Sequence, residues 1–144
     1  MKKLLAPALL LAAVALYQLA GGTTPTALAP AARADNAAIV RAIEARAEDV
    51  WVEGEAEVAK LLPDDTKGSQ HQRFIVRLAS GHSLLIAHNI DLAPRVSPLH
   101  VGDTISFRGE YVWNTKGGVV HWTHHDPKGR REGGWIRREG QLFE

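Results

Sequence analysis

The chain has 144 residues, 45% of them apolar and 23% charged, with 13 glycines, 7 prolines and no cysteine. That length allows one domain. The lack of cysteine excludes a disulfide framework, a thiolate metal site, cysteine catalysis and a cysteine-linked lipid.

Residues 1–34 read as an export signal, or an N-terminal anchor, with its linker. Lys2 and Lys3 form a basic start, residues 4–20 are an uncharged and mostly apolar run of 17, and an Ala/Pro/Thr-rich stretch follows. Ala32-Arg33-Ala34 before Asp35 is the better of two small-x-small cleavage sites, because the other, Ala27-Leu28-Ala29, is followed by Pro30. Seventeen residues lie at the short edge for crossing a bilayer. The expectation is a periplasmic or secreted protein, with an inner-membrane anchor facing the periplasm as the alternative and membrane contact through this segment alone. Lys2, Lys3 and Arg33 take three of the 17 cationic residues with them and no acidic one, so the remainder carries 14 against 16, a net charge of −2. A globally basic nucleic-acid binder is thereby excluded, while a local basic cluster remains at Lys128, Arg130, Arg131, Arg137 and Arg138.

Asp35-Asn36 offers an N-cap, and Ile39, Val40, Ile43, Ala47 and Val50 fall on one helical face, which predicts a helix over about 36–48 within residues 35–49. From Val50 the apolar period changes to two through Val52, Gly54, Ala56 and Val58, a half-buried strand. Residues 63–69 are rich in turn formers and predict a loop. Phe74, Val76 and Leu78 alternate with Arg73, Ile75 and Arg77, Ser80-Gly81 turns the chain, and residues 83–90 form a third strand, so strands two and three predict a hairpin. Pro94 and Pro98 preclude a full helix in the link over 91–103. Ile105, Phe107, Gly109, Tyr111 and Trp113 share one side of a fourth strand, residues 119–125 form a fifth, and Gln141-Leu142-Phe143 suggests a short sixth. Five or six strands over residues 50–144, with a long third link, predict a small OB-like barrel with an N-terminal helix, an SH3-like barrel being the alternative.

Three polar segments stand out: HQRF at 71–74, HNIDLAPR at 88–95 and GGVVHWTHHDP at 117–127. Together with VGDTISFRGEYVWNTK before the last of these and GGWI after it, they resemble a small bacterial family of exported domains of unknown function, over about residues 55–144. The resemblance implies a compact exported domain in which these polar motifs belong to the family pattern. It brings no activity with it.

Each motif sits at a strand end, where barrel folds line their ligand grooves, and the expectation is that the three converge on one site. His71, His88, His124, His125 and Asp126 are the candidates for acid–base catalysis, because imidazole exchanges protons near neutral pH and a carboxylate orients it. Arg73, Asn89, Asp91, Arg95, Trp122 and Trp135 are the candidates for binding an anionic or polymeric ligand, the arginines through bidentate geometry and the tryptophans by stacking. His121, His124, His125 and Asp126 carry the right atoms for a divalent transition metal. Strand alternation divides them between two faces, however, so the spacing alone is not a metal motif. The geometric expectation is that His124 or His125 and Asp126 face His88 and Arg95. Three functions follow: an exported hydrolase of phosphodiesters or other anionic substrates, a non-enzymatic binding module for nucleic acid, glycan or protein, and an envelope metal-binding protein.

Overall fold

The computed structural model describes residues 35–144, so the expected leader or anchor and the expected cleavage site lie outside the described residues. One helix, α1 (Ala37–Glu44), precedes seven strands: β1 (Val50–Asp65), β2 (His71–Arg77), β3 (Ser83–Asn89), β4 (Thr104–Val112), β5 (Val119–His121), β6 (Trp135–Arg138) and β7 (Gln141–Phe143). Among the described residues no helix is long and apolar enough to cross a membrane.

Five strands close a ring in the order β1-β2-β3-β5-β4 and back to β1. Closure depends on the length of β1, whose 16 residues serve two neighbours. Val50 to Glu57 pair with Tyr111 to Thr104 of β4, and Glu57 to Asp65 pair with Arg77 to His71 of β2. β5 runs parallel to β3 and antiparallel to β4. This is an OB-like barrel, and the hairpin β6–β7 extends it along β4.

The inside is set by the two-residue period. Phe74 and Val76, Leu84 and Ile86, Ile105, Phe107 and Tyr111, and Val120 point inward and are fully or almost fully buried. α1 adds Ile39 and Ala42 to that core. Asn36 pins the helix to β1, its side chain accepting the Glu55 N–H and donating to the Glu55 carbonyl, both at 2.8 Å. Of the Asp35-Asn36 pair expected to cap the helix, Asn36 therefore makes no side-chain cap hydrogen bond. Asp35 Oδ1 takes the Ala37 N–H instead, at 2.9 Å.

Several expectations are corrected. The helix stops at Glu44, because Arg46 and Asp49 adopt left-handed backbone, φ 50° and 56°. β1 runs on through Pro63 to Asp65, where a loop was expected. The register of β1 on β2 is irregular between Val58 and Lys60 and again between Leu62 and Asp65, and the second irregularity accommodates the proline, which cannot donate to a regular ladder. The fifth strand ends at His121 rather than His125, because Trp122 turns left-handed at φ 58° and takes the chain off the sheet. The C-terminal stretch holds two strands where one was expected.

β5 and β6 occupy the same edge of β4 end to end, β5 against Glu110 to Val112 and β6 against Ile105 to Arg108. Residues 122–134 form an excursion between them. Its base is closed by the Gly134 N–H donating to the His124 carbonyl at 2.9 Å. A Cβ on Gly134 would collide with the carbonyl oxygens of Trp122 and Arg108. The backbone cannot yield there without opening β4, so Gly134→Ala is expected to cost about 1–3 kcal/mol, read as a lower urea midpoint with an unchanged slope.

Candidate functional site

The barrel wall sorts the polar motifs. Along β2, Gln72, Phe74 and Val76 are buried while His71, Arg73 and Ile75 are half-exposed. Along β3, His88 points in with Leu84 and Ile86, while Leu85, Ala87 and Asn89 point out. On β5, Val120 is inside and Val119 and His121 are outside. HQRF thus gives its histidine and arginine to the outer surface, and HNID gives its histidine to the core.

The outward residues line one groove of about 380 Å³. Arg73 lies opposite Ala87, and Leu85 lies beside Val119. Continuing that parallel register by two residues brings Ala87 beside His121. The small Ala87 is therefore the floor between Arg73 on one strand and His121 on another, with His71 one step along β2 and Asp65 at the same end.

Of the two groove imidazoles, only His71 is held by a hydrogen bond from a ring nitrogen. His71 Nδ1 is 2.9 Å from the Ser69 carbonyl oxygen. A carbonyl only accepts, so Nδ1 carries the hydrogen and Nε2 keeps its lone pair. His121 Nε2 lies 3.5 Å from Glu110 Oε1, short of a hydrogen bond by geometry but close enough to orient the ring. Glu110 is buried on β4 and also pairs with Arg131. Arg73 Nε donates to the Pro63 carbonyl at 3.0 Å, and Arg73 forms no ion pair among the described residues.

A second pair of histidines belongs to the interior. His88 is fully buried, its Nε2 3.0 Å from the Pro94 carbonyl and its Nδ1 2.8 Å from Thr123 Oγ1. The carbonyl requires Nε2–H, so the threonine hydroxyl donates to Nδ1. Burial pushes the His88 imidazolium below its ordinary value near 6.5, opposed by the Pro94 carbonyl and reinforced by His124 and His71. His124 is also buried, with Nδ1 2.6 Å from the His125 carbonyl and its ring 4.9 Å from that of Trp122. HNID and HWTHH therefore meet as a buried rivet, through Thr123 rather than through Asp126.

The remaining candidates have other partners. The Asp126 carboxylate accepts the N–H groups of Lys128, Arg130 and Arg131 at 3.0, 2.9 and 2.8 Å. Those bonds, the one from Lys128 foremost, hold it below the usual carboxylate range. His125 is exposed and lies 3.0 Å from Glu144. Asn89 Oδ1 accepts the Asp91 N–H at 3.0 Å, and Asp91 Oδ2 accepts the Gln70 N–H at 2.9 Å, so both shape the chain beside His71. Arg95 pairs with Asp64. Trp122 and Trp135 each carry a guanidinium on the ring, Arg131 at 4.6 Å and Arg137 at 5.0 Å, so an arginine occupies a face that a ligand would stack on. Among the described residues no three of His, Asp or Glu are gathered as a metal shell, and His121, His124, His125 and Asp126 point to four different surroundings. Glu110, Thr123 and Ala87 escaped the sequence reading, because their partners are set by the register of β4, β5 and β3.

The family model for a protein of unknown function, DUF3465, matches residues 23–144. The chain belongs to the DUF3465 family. The match begins well before residue 55, so the family pattern takes in α1 and the whole of β1 as well as the three polar motifs. No curated protein matches the chain.

The burial of His88 gives this member of the family a pH dependence. Its folded value lies below its unfolded one, so its contribution is complete above about pH 6.5. It is lost as pH falls, because the unfolded chain takes up a proton that the folded chain refuses. Unfolding free energy is expected to fall below that pH with a slope approaching about 1.4 kcal/mol per unit from this one group. Urea titrations between pH 7.5 and 5 check this: His88→Gln should be less stable at neutral pH and show a shallower acid decline.

Proposed function

We propose that this domain is an exported hydrolase of phosphodiesters or closely related anionic substrates, working in the outer groove by proton transfer between two histidines. One observation carries the reading. His71 and His121 come from different strands, line the same groove, and share it with Arg73, which faces His121 across the small floor residue Ala87. Hydrolysis of a phosphodiester needs a base at the attacking oxygen, an acid at the leaving oxygen and positive charge on the oxygens between them.

His71 is assigned the base. The Ser69 carbonyl holds its Nδ1–H, which leaves the Nε2 lone pair to take a proton from water or a neighbouring hydroxyl. His121 is assigned the acid, since Glu110 beside it supplies the counter-charge for its protonated form. As the new P–O bond forms and the old one breaks, the proton taken by His71 is balanced by the one His121 gives to the departing oxygen. Arg73 sits on the edge of the groove to bind the non-bridging oxygens. His88 and His124 support the site from inside the wall rather than touching substrate. Export rests on the basic start and apolar run of residues 1–20.

Binding without cleavage is the second reading. It is favoured by the position of the groove on the outer face of β2 and β3, the face on which OB barrels hold oligonucleotides and oligosaccharides.

The test is release of nitrophenol from bis(p-nitrophenyl) phosphate and of fragments from short oligonucleotides, with chelator and with added divalent metals. His71→Ala and His121→Ala are each expected to lower kcat by about 10²–10⁴-fold, and the parent to show a bell-shaped pH profile. Ala87→Leu should raise KM sharply without lowering the unfolding midpoint. A purified protein inert on every phosphodiester, with and without metal, would sink the hydrolase reading.

A further inference from the structure

Arg73 lines two cavities. Beside the groove lies a cleft of about 250 Å³ between the end of β1, β2 and the link that follows β3, and it too is lined by Arg73, together with Arg95, Leu61, Leu62 and Leu99. The link is tied down there by Gln72, whose side chain donates to the Val96 carbonyl at 3.0 Å and accepts the Val96 N–H at 2.9 Å. The cleft therefore has one fixed wall. Arg95 stands in it with its guanidinium paired to Asp64, and both side chains are open to solvent, at 44% and 30%. An exposed pair of this kind contributes little to stability, so its carboxylate is easily replaced by another anion. Leu61, 45% exposed, adds apolar surface alongside.

From this we infer that groove and cleft form one path for a single-stranded nucleic acid, a reading that rests on the phosphodiester site proposed above and extends it. The phosphate to be cut lies in the groove against Arg73, between His71 and His121. The neighbouring phosphate displaces Asp64 from Arg95. The sugar and base joining them cover Leu61 and Leu62. Inorganic polyphosphate would meet the two arginines equally well but has nothing to lay on the leucines, and a duplex would turn its bases away from them. The net charge of −2 outside the leader gives no long-range attraction. The hold is local, and sequence-independent because no base edge is read.

Fluorescence anisotropy with labelled oligothymidylates of two and six nucleotides, on the full-length protein, tests the path. The longer strand is expected to bind at least tenfold more tightly. Arg95→Ala should remove that advantage and flatten the salt dependence of log K by about 0.7, whereas Asp64→Ala, which frees Arg95, should tighten the longer strand. Opposite signs are required: if both variants weaken binding, the pair is only structural and the inference fails. It also fails if neither strand binds, if length makes no difference, or if polyphosphate of equal phosphate number competes as well as the oligonucleotide. Length-dependent binding without cleavage would leave the path standing and remove the hydrolase. Cleavage of bis(p-nitrophenyl) phosphate with Arg95→Ala indifferent on long strands would do the reverse.

Discussion

The whole arrangement depends on one strand being able to hold two partners. β1 pairs with β4 along its first half and with β2 along its second, and Glu57 belongs to both ladders. A shorter strand would leave an open sheet with two edges. Because the ring closes, every strand has an inside and an outside, and a residue's position in the two-residue period decides whether it meets the core or solvent. The irregularities after Val58 and Leu62 let this strand bend round the barrel and carry Pro63 without losing the pairing that brings Asp65 opposite His71.

That division assigns the histidines to two kinds of work. His71 and His121 stand outside and line the groove, His71 with Nδ1 anchored on the Ser69 carbonyl and His121 with Nε2 beside Glu110. His88 and His124 are buried, and the His88 bond to Thr123 holds the excursion over residues 122–134 to the end of β3. The two sets are coupled through the chain itself. The buried Thr123 lies two residues beyond His121, so the contact that fixes the excursion also fixes where β5 ends. Trp122 bears the cost of this as left-handed backbone, about 1–2 kcal/mol for a bulky residue.

Electrostatics on the outer surface follow a consistent pattern. Arg46, Arg108, Arg131 and Arg137 lie over Trp113, Trp51, Trp122 and Trp135, and Arg131 and Arg108 also meet carboxylates. These arginines and tryptophans satisfy each other. Arg73, tethered only by its Nε, and Arg95, with its exposed partner, are the cations of the polar motifs with charge to offer an incoming anion.

The sequence by itself determined that five strands make the ring, though not where β1 and β5 end, together with the hairpin of β2 and β3 and the apolar inner face of β4. Alternation is a local property, readable from one segment at a time. It also showed that HQRF, HNID and HWTHH lie near strand ends. Only the tertiary structure decided which of their residues meet: Thr123 with His88, Glu110 with His121, Ala87 between Arg73 and His121, and Asp126 with its own loop. Those contacts depend on the register between strands far apart in the chain and on the one residue, Trp122, at which the backbone leaves the sheet. Register is set by the closure of the whole ring, and no segment carries it alone.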